Sequence, residues 1–315
     1  MSFDRLQEKI DELRNPTVVG LDPALEHIPT EIIERNIREH GETFWAAALA
    51  ISEFNIMLIN ALYDVVPAVK PQLAFFELLG AEGIVALEMT CKYAMNKGLY
   101  VICDGKRNDI GSTAEAYSAA YLGSVRIGDT ELQPFKCDAL TVNAYLGSDG
   151  LKPFLDMAVK NDKALFALVK TSNPSAGELQ DLWVCEKTVP ATYVPQTLYT
   201  TVGDQIESIA LDTVGRYGYT RVGAVVGATY PEELQFLRAR LKNTFFLVPG
   251  YGAQGGAAND VAHAFDYNKR GAIVNSSRAI IAAWKKTGNA GEDYAEAARA
   301  EAIVMRDALR AALSL

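Results

Sequence analysis

Metal-binding and disulfide patterns are missing from this sequence. Its three histidines, His27, His40 and His263, and its four cysteines, Cys91, Cys103, Cys137 and Cys185, are scattered, with no C-x-x-C pair and no H-E-x-x-H grouping. Zinc coordination and disulfide frameworks need such spacings, so the cysteines read as structural thiols in a reducing cytoplasm, and no metal is expected. Positive charge is also in short supply. Thirty Lys and Arg against 39 Asp and Glu leave a net charge of −9, which argues against nucleic acid or an anionic membrane as partner. The opening MSFDRLQEKIDELRN has no apolar centre of a signal peptide and reads as a short amphipathic helix. The most apolar helical run, 44–59, carries Ser52, Glu53 and Asn55 and is too short to span a bilayer, so a core helix is expected and no transmembrane segment. No G-x-G-x-x-G follows the first apolar run, which removes a dinucleotide-binding fold.

What is present suits a large buried core: 49% of residues are hydrophobic and 22% charged. Short β-rich apolar runs recur at 17–21, 68–73, 100–103, 139–143, 165–170, 222–227, 245–249 and 272–275. Between them lie helical periods, such as 81–97 with Ile84, Leu87, Cys91 and Met95 on one stripe, and 231–242, which opens on Pro231 and repeats Leu234, Leu237 and Leu241. Strands that are apolar throughout, alternating with helices, predict a parallel sheet covered on its outside. Eight such units fit a closed (β/α)₈ barrel filling 1–315 as a single domain, with an open doubly wound sheet as the alternative. Two connections are long, 22–67 and 173–220. The second, with Pro174, Gly177, Pro190, Pro195 and Gly203, reads as a loop insertion after strand five, either a lid or a passive excursion. The Ala-rich stretch 289–315 suits a closing helix.

In such a barrel the chemistry sits where strands end at the C-terminal mouth. The polar residues ending the runs are Asp22, Lys70, Asp104 with Lys106, Asn143, Lys170 with Ser172, Gln254, and Ser276 to Arg278. The densest piece is Asp104-Gly-Lys106-Arg-Asn-Asp109. Residues i and i+2 of a strand face the same way, so Asp104 and Lys106 are expected to project together, with Lys70 from the neighbouring strand offsetting the carboxylate. Pro249-Gly-Tyr-Gly252-Ala-Gln254 runs a strand into a glycine-rich turn, and Asn275-Ser-Ser277-Arg278 ends the last strand with a guanidinium. Anion sites after strands seven and eight are frequent in this fold, and Arg suits bidentate phosphate contact.

Asp104-x-Lys106-x-x-Asp109 after an apolar strand, followed by Ile110-Gly-Ser-Thr113, resembles the signature of the orotidine 5′-phosphate decarboxylase family. Asp22, Lys70, Thr171-Ser172-Asn-Pro, the segment from Pro249 to Gln254, and Ser276-Ser277-Arg278 extend the resemblance through the whole chain, in the form of the longer bacterial branch. One departure is Ser277, where other branches often carry Gly before the phosphate Arg. The resemblance implies decarboxylation of orotidine 5′-phosphate to UMP without cofactor. It implies a charged network of Lys70, Asp104, Lys106 and Asp109, and a homodimer in which Asp109 and Thr113 reach the neighbouring subunit's site. Asp22 and Lys70 would hold the ribose, Ser172 the pyrimidine, Gln254 and Arg278 the phosphate, with Pro249 and the Ser277 N–H beside it; Asn143 and Tyr251 receive no role. Competing expectations are a Mg²⁺-dependent sugar-acid-phosphate decarboxylase resembling 3-keto-gulonate 6-phosphate decarboxylase, a Schiff-base aldolase using Lys106 or Lys170, and a phosphate-binding barrel without catalysis.

Overall fold

The structure, a computed structural model, describes residues 1–185, 195–252, 257–288 and 290–315. Eight parallel strands close into a barrel: β1 (Thr17–Leu21), β2 (Ala68–Pro71), β3 (Tyr100–Arg107), β4 (Ala139–Val142), β5 (Ala164–Lys170), β6 (Val222–Val226), β7 (Phe246–Val248) and β8 (Ala272–Ser276). Each pairs with its neighbours in sequence, and β8 returns to β1 through Thr17↔Val274 and Val18↔Asn275. That closing pair excludes the open sheet. Because side chains alternate across a strand, each strand serves two cores. Val19, Leu21, Val69, Val101, Leu140 and Leu165 face the surrounding helices, whereas Val18, Ala68, Ile102, Ala139, Phe166 and Ile273 fill the barrel. This double burial is why the strands are apolar throughout.

The N-terminal helix Ser2–Leu13 plugs the bottom of the barrel with Phe3, Leu6 and Ile10. Phe3 stacks on Phe245 at a centroid distance of 5.0 Å and lies tilted 4.9 Å from Phe166, burial worth about 1.5–3 kcal/mol for such a ring. With that end filled, the cavity among the described residues that the strand ends line opens at the opposite mouth. The apolar helix Phe44–Leu62 starts at Thr43, whose Oγ1 accepts from the Ala46 N–H; at 19 residues it exceeds the expected 44–59 run and is, by length and composition alone, long and apolar enough to cross a membrane, but it buries Ile51, Phe54, Leu58 and Ile59 in the outer core, as a core helix does. Pro231–Arg240 has Pro at its start, Glu232 and Glu233 in its first turn and Arg238 and Arg240 in its last, an order favoured by the helix dipole.

Most strand boundaries fall within one residue of the sequence expectation, and three departures are larger. β2 stops at Pro71, and Leu73 instead opens the short helix Leu73–Glu77. β3 runs on through the charged residues to Arg107, because Asp104 and Lys106 are paired there rather than solvated. The connection 173–220 is not simply a loop insertion: Leu198–Ser208 folds as a helix burying Tyr199 and Ile206 against the sheet, a pattern that its prolines and Gly203 obscured in the sequence. The lid expectation for that segment falls partly on 186–194, outside the described residues.

Candidate active site

At the open mouth the strands end around a cavity of about 620 Å³. Its charged floor centres on Asp104, whose side chain is 9% exposed. Lys70 Nζ donates to Asp104 Oδ2 at 2.6 Å and Lys106 Nζ to Oδ1 at 2.7 Å. Gln72 Nε2 also donates to Oδ2, at 3.0 Å, and Thr141 Oγ1 to Oδ1, at 2.8 Å. Four donors on one carboxylate favour its ionised form. Burial alone would raise its pKa, but the Lys70 and Lys106 ammonium groups outweigh that and hold it well below the usual carboxylate range. Burial likewise pulls Lys70 down, yet Asp104 and then Asp22 overcome it and leave its pKa raised. The two lysines differ in access: the Lys70 side chain is 5% exposed, that of Lys106 46%. Both line the cavity, and Lys106 is the more accessible of the two.

Regular strand alternation does not produce this pairing. The ladder between β3 and β4 shifts register between Cys103 and Arg107, and Lys106 takes a left-handed φ of 49°. Such a conformation costs a non-glycine residue about 1–3 kcal/mol and persists only where its surroundings enforce it. Here the Lys106 N–H donates to Thr141 Oγ1 at 2.9 Å, so one hydroxyl fixes both the bulged backbone and the carboxylate.

The walls divide by polarity. Leu168, Val225 and Leu247, from β5, β6 and β7, make an apolar side suited to a planar ring. Opposite them, Asp22 and Asn275 line the cavity from the β1 and β8 side, and the Oδ1 of each is buried with no hydrogen-bond partner among the described residues. Unsatisfied buried acceptors are costly, so a ligand hydroxyl at Asp22 would relieve one of them. Pro249, Gly250, Tyr251, Ser277 and the exposed Arg278 form the rim. Gly20 on β1 makes that rim possible: a Cβ there would lie 1.8 Å from Ser277 Oγ.

Of the expected site residues, Asp22, Lys70, Asp104, Lys106, Ser172, Pro249, Ser277 and Arg278 line one cavity, while Gln254 lies outside the described residues. Asp109 and Thr113 do not line their own chain's cavity; Asp109 Oδ1 accepts from the Ile110 N–H at 2.7 Å, and Thr113 is exposed on the helix Gly111–Leu122. Two strand-end candidates are corrected. Asn143 caps a turn by accepting from the Tyr145 N–H, and Lys170 is turned to Asp181, because the chain leaves each strand end there in a tight connection. Sequence reasoning missed Gln72, Thr141 and Gln180, and set His27 aside although its ring lies on the cavity wall. A hydroxyl inside the otherwise apolar 139–142 run was the one visible signal for Thr141.

An eight-stranded parallel barrel with a Lys–Asp–Lys array in the cavity at its mouth is of the (β/α)₈-barrel enzyme class. A model of the orotidine 5′-phosphate decarboxylase / HUMPS family matches residues 18–294. Orotidine 5′-phosphate decarboxylase of Rhodopirellula baltica is 44% identical over 298 residues, 93% of this chain and 94% of the relative. That of Caldicellulosiruptor bescii is 42% identical, covering 90% of each. Among solved structures, the OMP decarboxylase of Leishmania donovani superposes with a TM-score of 0.67 at 31% identity, over 98% of this chain and 99% of that one. The chain belongs to the orotidine 5′-phosphate decarboxylase / HUMPS family.

Proposed function

We propose how this chain decarboxylates orotidine 5′-phosphate to UMP and CO₂, the step of pyrimidine biosynthesis that its family relationship assigns to it. When the bond from C6 to the carboxylate breaks, CO₂ departs and the electron pair stays in an sp² orbital of C6, outside the ring's π system. Delocalisation cannot hold that charge, so its stabilisation is electrostatic. Lys106, as ammonium, lies beside C6, stabilises the pair and then donates the proton that completes UMP. Asp104 holds Lys106 in place, and Lys70 keeps Asp104 ionised. The observation that carries this reading is the unbroken Lys70–Asp104–Lys106 chain, with its accessible end in the cavity. Asp22, with its orphan oxygen, and Lys70 take the ribose hydroxyls, Ser172 the pyrimidine, and Arg278 with the Ser277 N–H, Pro249 and Gln254 the phosphate.

We place the whole reaction in one domain spanning 1–315, acting without cofactor. A reducing, cytoplasmic setting fits four unpaired cysteines, three of them buried. The test is direct: purified protein treated with EDTA is expected to consume orotidine 5′-phosphate and release UMP at the untreated rate. Inactivity on orotidine 5′-phosphate together with an EDTA-sensitive activity on a sugar-acid phosphate would move the site to the metal-dependent reading. A Schiff-base role is disfavoured because an ion-paired ammonium is a poor carbonyl nucleophile.

The reading extends to a homodimer in which Asp109 and Thr113 complete the partner's site. Their absence from their own cavity supports this, as do the exposed apolar side chains of Ile110, Tyr117, Tyr145 and Leu146 around them. Each active site would then contain Lys106 of one chain and Asp109 of the partner subunit. Mixing inactive Lys106→Ala with inactive Asp109→Ala should regain activity, up to about a quarter of the wild-type level, since one site of each mixed dimer carries neither substitution. Mixtures that exchange subunits but stay inactive would contradict the shared site.

A further inference from the structure

Lys170 ends β5 with its side chain only 2% exposed, yet it does not line the cavity. An ammonium buried this deeply must be compensated. Its compensation comes from Asp181, with which it forms an ion pair, and from two aromatic faces, the centroids of Tyr199 and Tyr230 lying 5.0 and 5.1 Å from Nζ. Three segments meet at this one charge: the connection that follows β5, the helix Leu198–Ser208 and the turn after β6.

Other contacts shape the same connection. Gln180 Oε1 accepts from the Thr171 N–H at 2.9 Å, and its Nε2 donates to Thr171 Oγ1 at 2.7 Å, clipping residue 171 to residue 180. From the other side, the Gly227 N–H donates to the Lys170 carbonyl at 2.7 Å. Gly227 has to lack a side chain, because a Cβ there would come within 2.9 Å of Ser172 N and Cβ. Thr171, Ser172, Asn173 and Gln180 all line the cavity. The segment is thus pressed between the β6 turn and the Lys170 ion pair, with its inner edge presented to the ligand.

We propose that Lys170 is a positioning residue for decarboxylation. Its ion pair with Asp181 holds 171–182 folded back on β5 and so fixes Ser172 at the pyrimidine end of the cavity. The inference rests on Ser172 touching substrate and is independent of the role given to Lys106. Asp181 is 49% exposed, so without the ammonium it is solvated by water and the segment loses its electrostatic tie. Methionine at 170 would keep most of the buried chain volume and remove only the charge.

The experiment is steady-state kinetics with orotidine 5′-phosphate, together with thermal melting, for Lys170→Met, Asp181→Asn, Ser172→Ala and the Lys170→Met/Ser172→Ala double variant. Lys170→Met and Asp181→Asn are each expected to lose about 10-fold or more in kcat/KM, since ångström-scale misplacement of a ligand contact costs up to about 10²-fold. Because the effect runs through Ser172, adding Lys170→Met to Ser172→Ala should cost less than about 3-fold more. Fully additive losses, or a folded Lys170→Met with wild-type kcat/KM, would overturn the proposal. A silent Ser172→Ala would overturn it at its premise, a failure separable from that of the latch. If Lys170→Met does not fold, Asp181→Asn alone and combined with Ser172→Ala decides by the same criteria.

Discussion

Lys106→Ala is expected to lower kcat for decarboxylation by at least about 10⁴-fold while the barrel remains folded. Two contributions disappear together: a preorganised charge beside the nascent carbanion, worth about 10²–10³-fold, and proton donation to C6, worth about 10²–10⁴-fold. The fold should survive because the Lys106 side chain is 46% exposed and its removal leaves Asp104 still bonded to Lys70, Gln72 and Thr141. The left-handed φ at this position is no easier for alanine, so the backbone strain is unchanged rather than relieved. Kinetics with orotidine 5′-phosphate and circular dichroism on one preparation check both halves. A folded variant with near-normal turnover would remove Lys106 from the chemistry.

Asp104→Ala should damage both activity and stability. It leaves the Lys70 ammonium, 5% exposed, without the carboxylate that compensates it, a loss of about 3–5 kcal/mol for a broken buried pair. Lys106 loses its anchor in the same step, so turnover should fall by about 10²-fold or more even in molecules that stay folded. The stability deficit has a defined pH dependence. Asp104 has a depressed pKa in the folded state, so its contribution is fully present above its unfolded value of about 3.9 and is lost as pH falls toward the lower folded value. Lys70 has a raised pKa, so its contribution is present below about 10.4 and is lost only as pH rises through the folded value. Urea midpoints of wild type and variant should therefore converge on acidification below about pH 4, and the gap should also narrow toward alkaline pH as the variant's uncompensated Lys70, pulled down by burial, loses its proton. A gap that stays undiminished down to about pH 3 would mean that another group controls it.

Much of this site could be read in order along the chain. Asp104, Lys106 and Asp109 lie within six residues, and Asp22, Lys70, Ser172, Pro249 and Arg278 each follow or end an apolar run. The residues that hold them in place could not be read this way. Thr141 and Gln72 reach Asp104 from 37 and 32 residues away. Asn143 was the strand-end candidate on β4, but the end of β4 at Val142 sends its side chain into a turn. Lys170 looked like a third site lysine, yet the tight return of the following connection draws it to Asp181.

The sequence by itself determined the eight-unit alternation and the charged signature, because both are patterns of neighbouring residues set by strand burial and spacing. Closure of the sheet, the bulge that turns Lys106 toward Asp104, and the choice of Thr141 over Asn143 were decided only in three dimensions. The physical reason is register. Which side chains share a layer of the barrel depends on how strands align with one another, and that alignment is fixed by the packed core as a whole rather than by any single run.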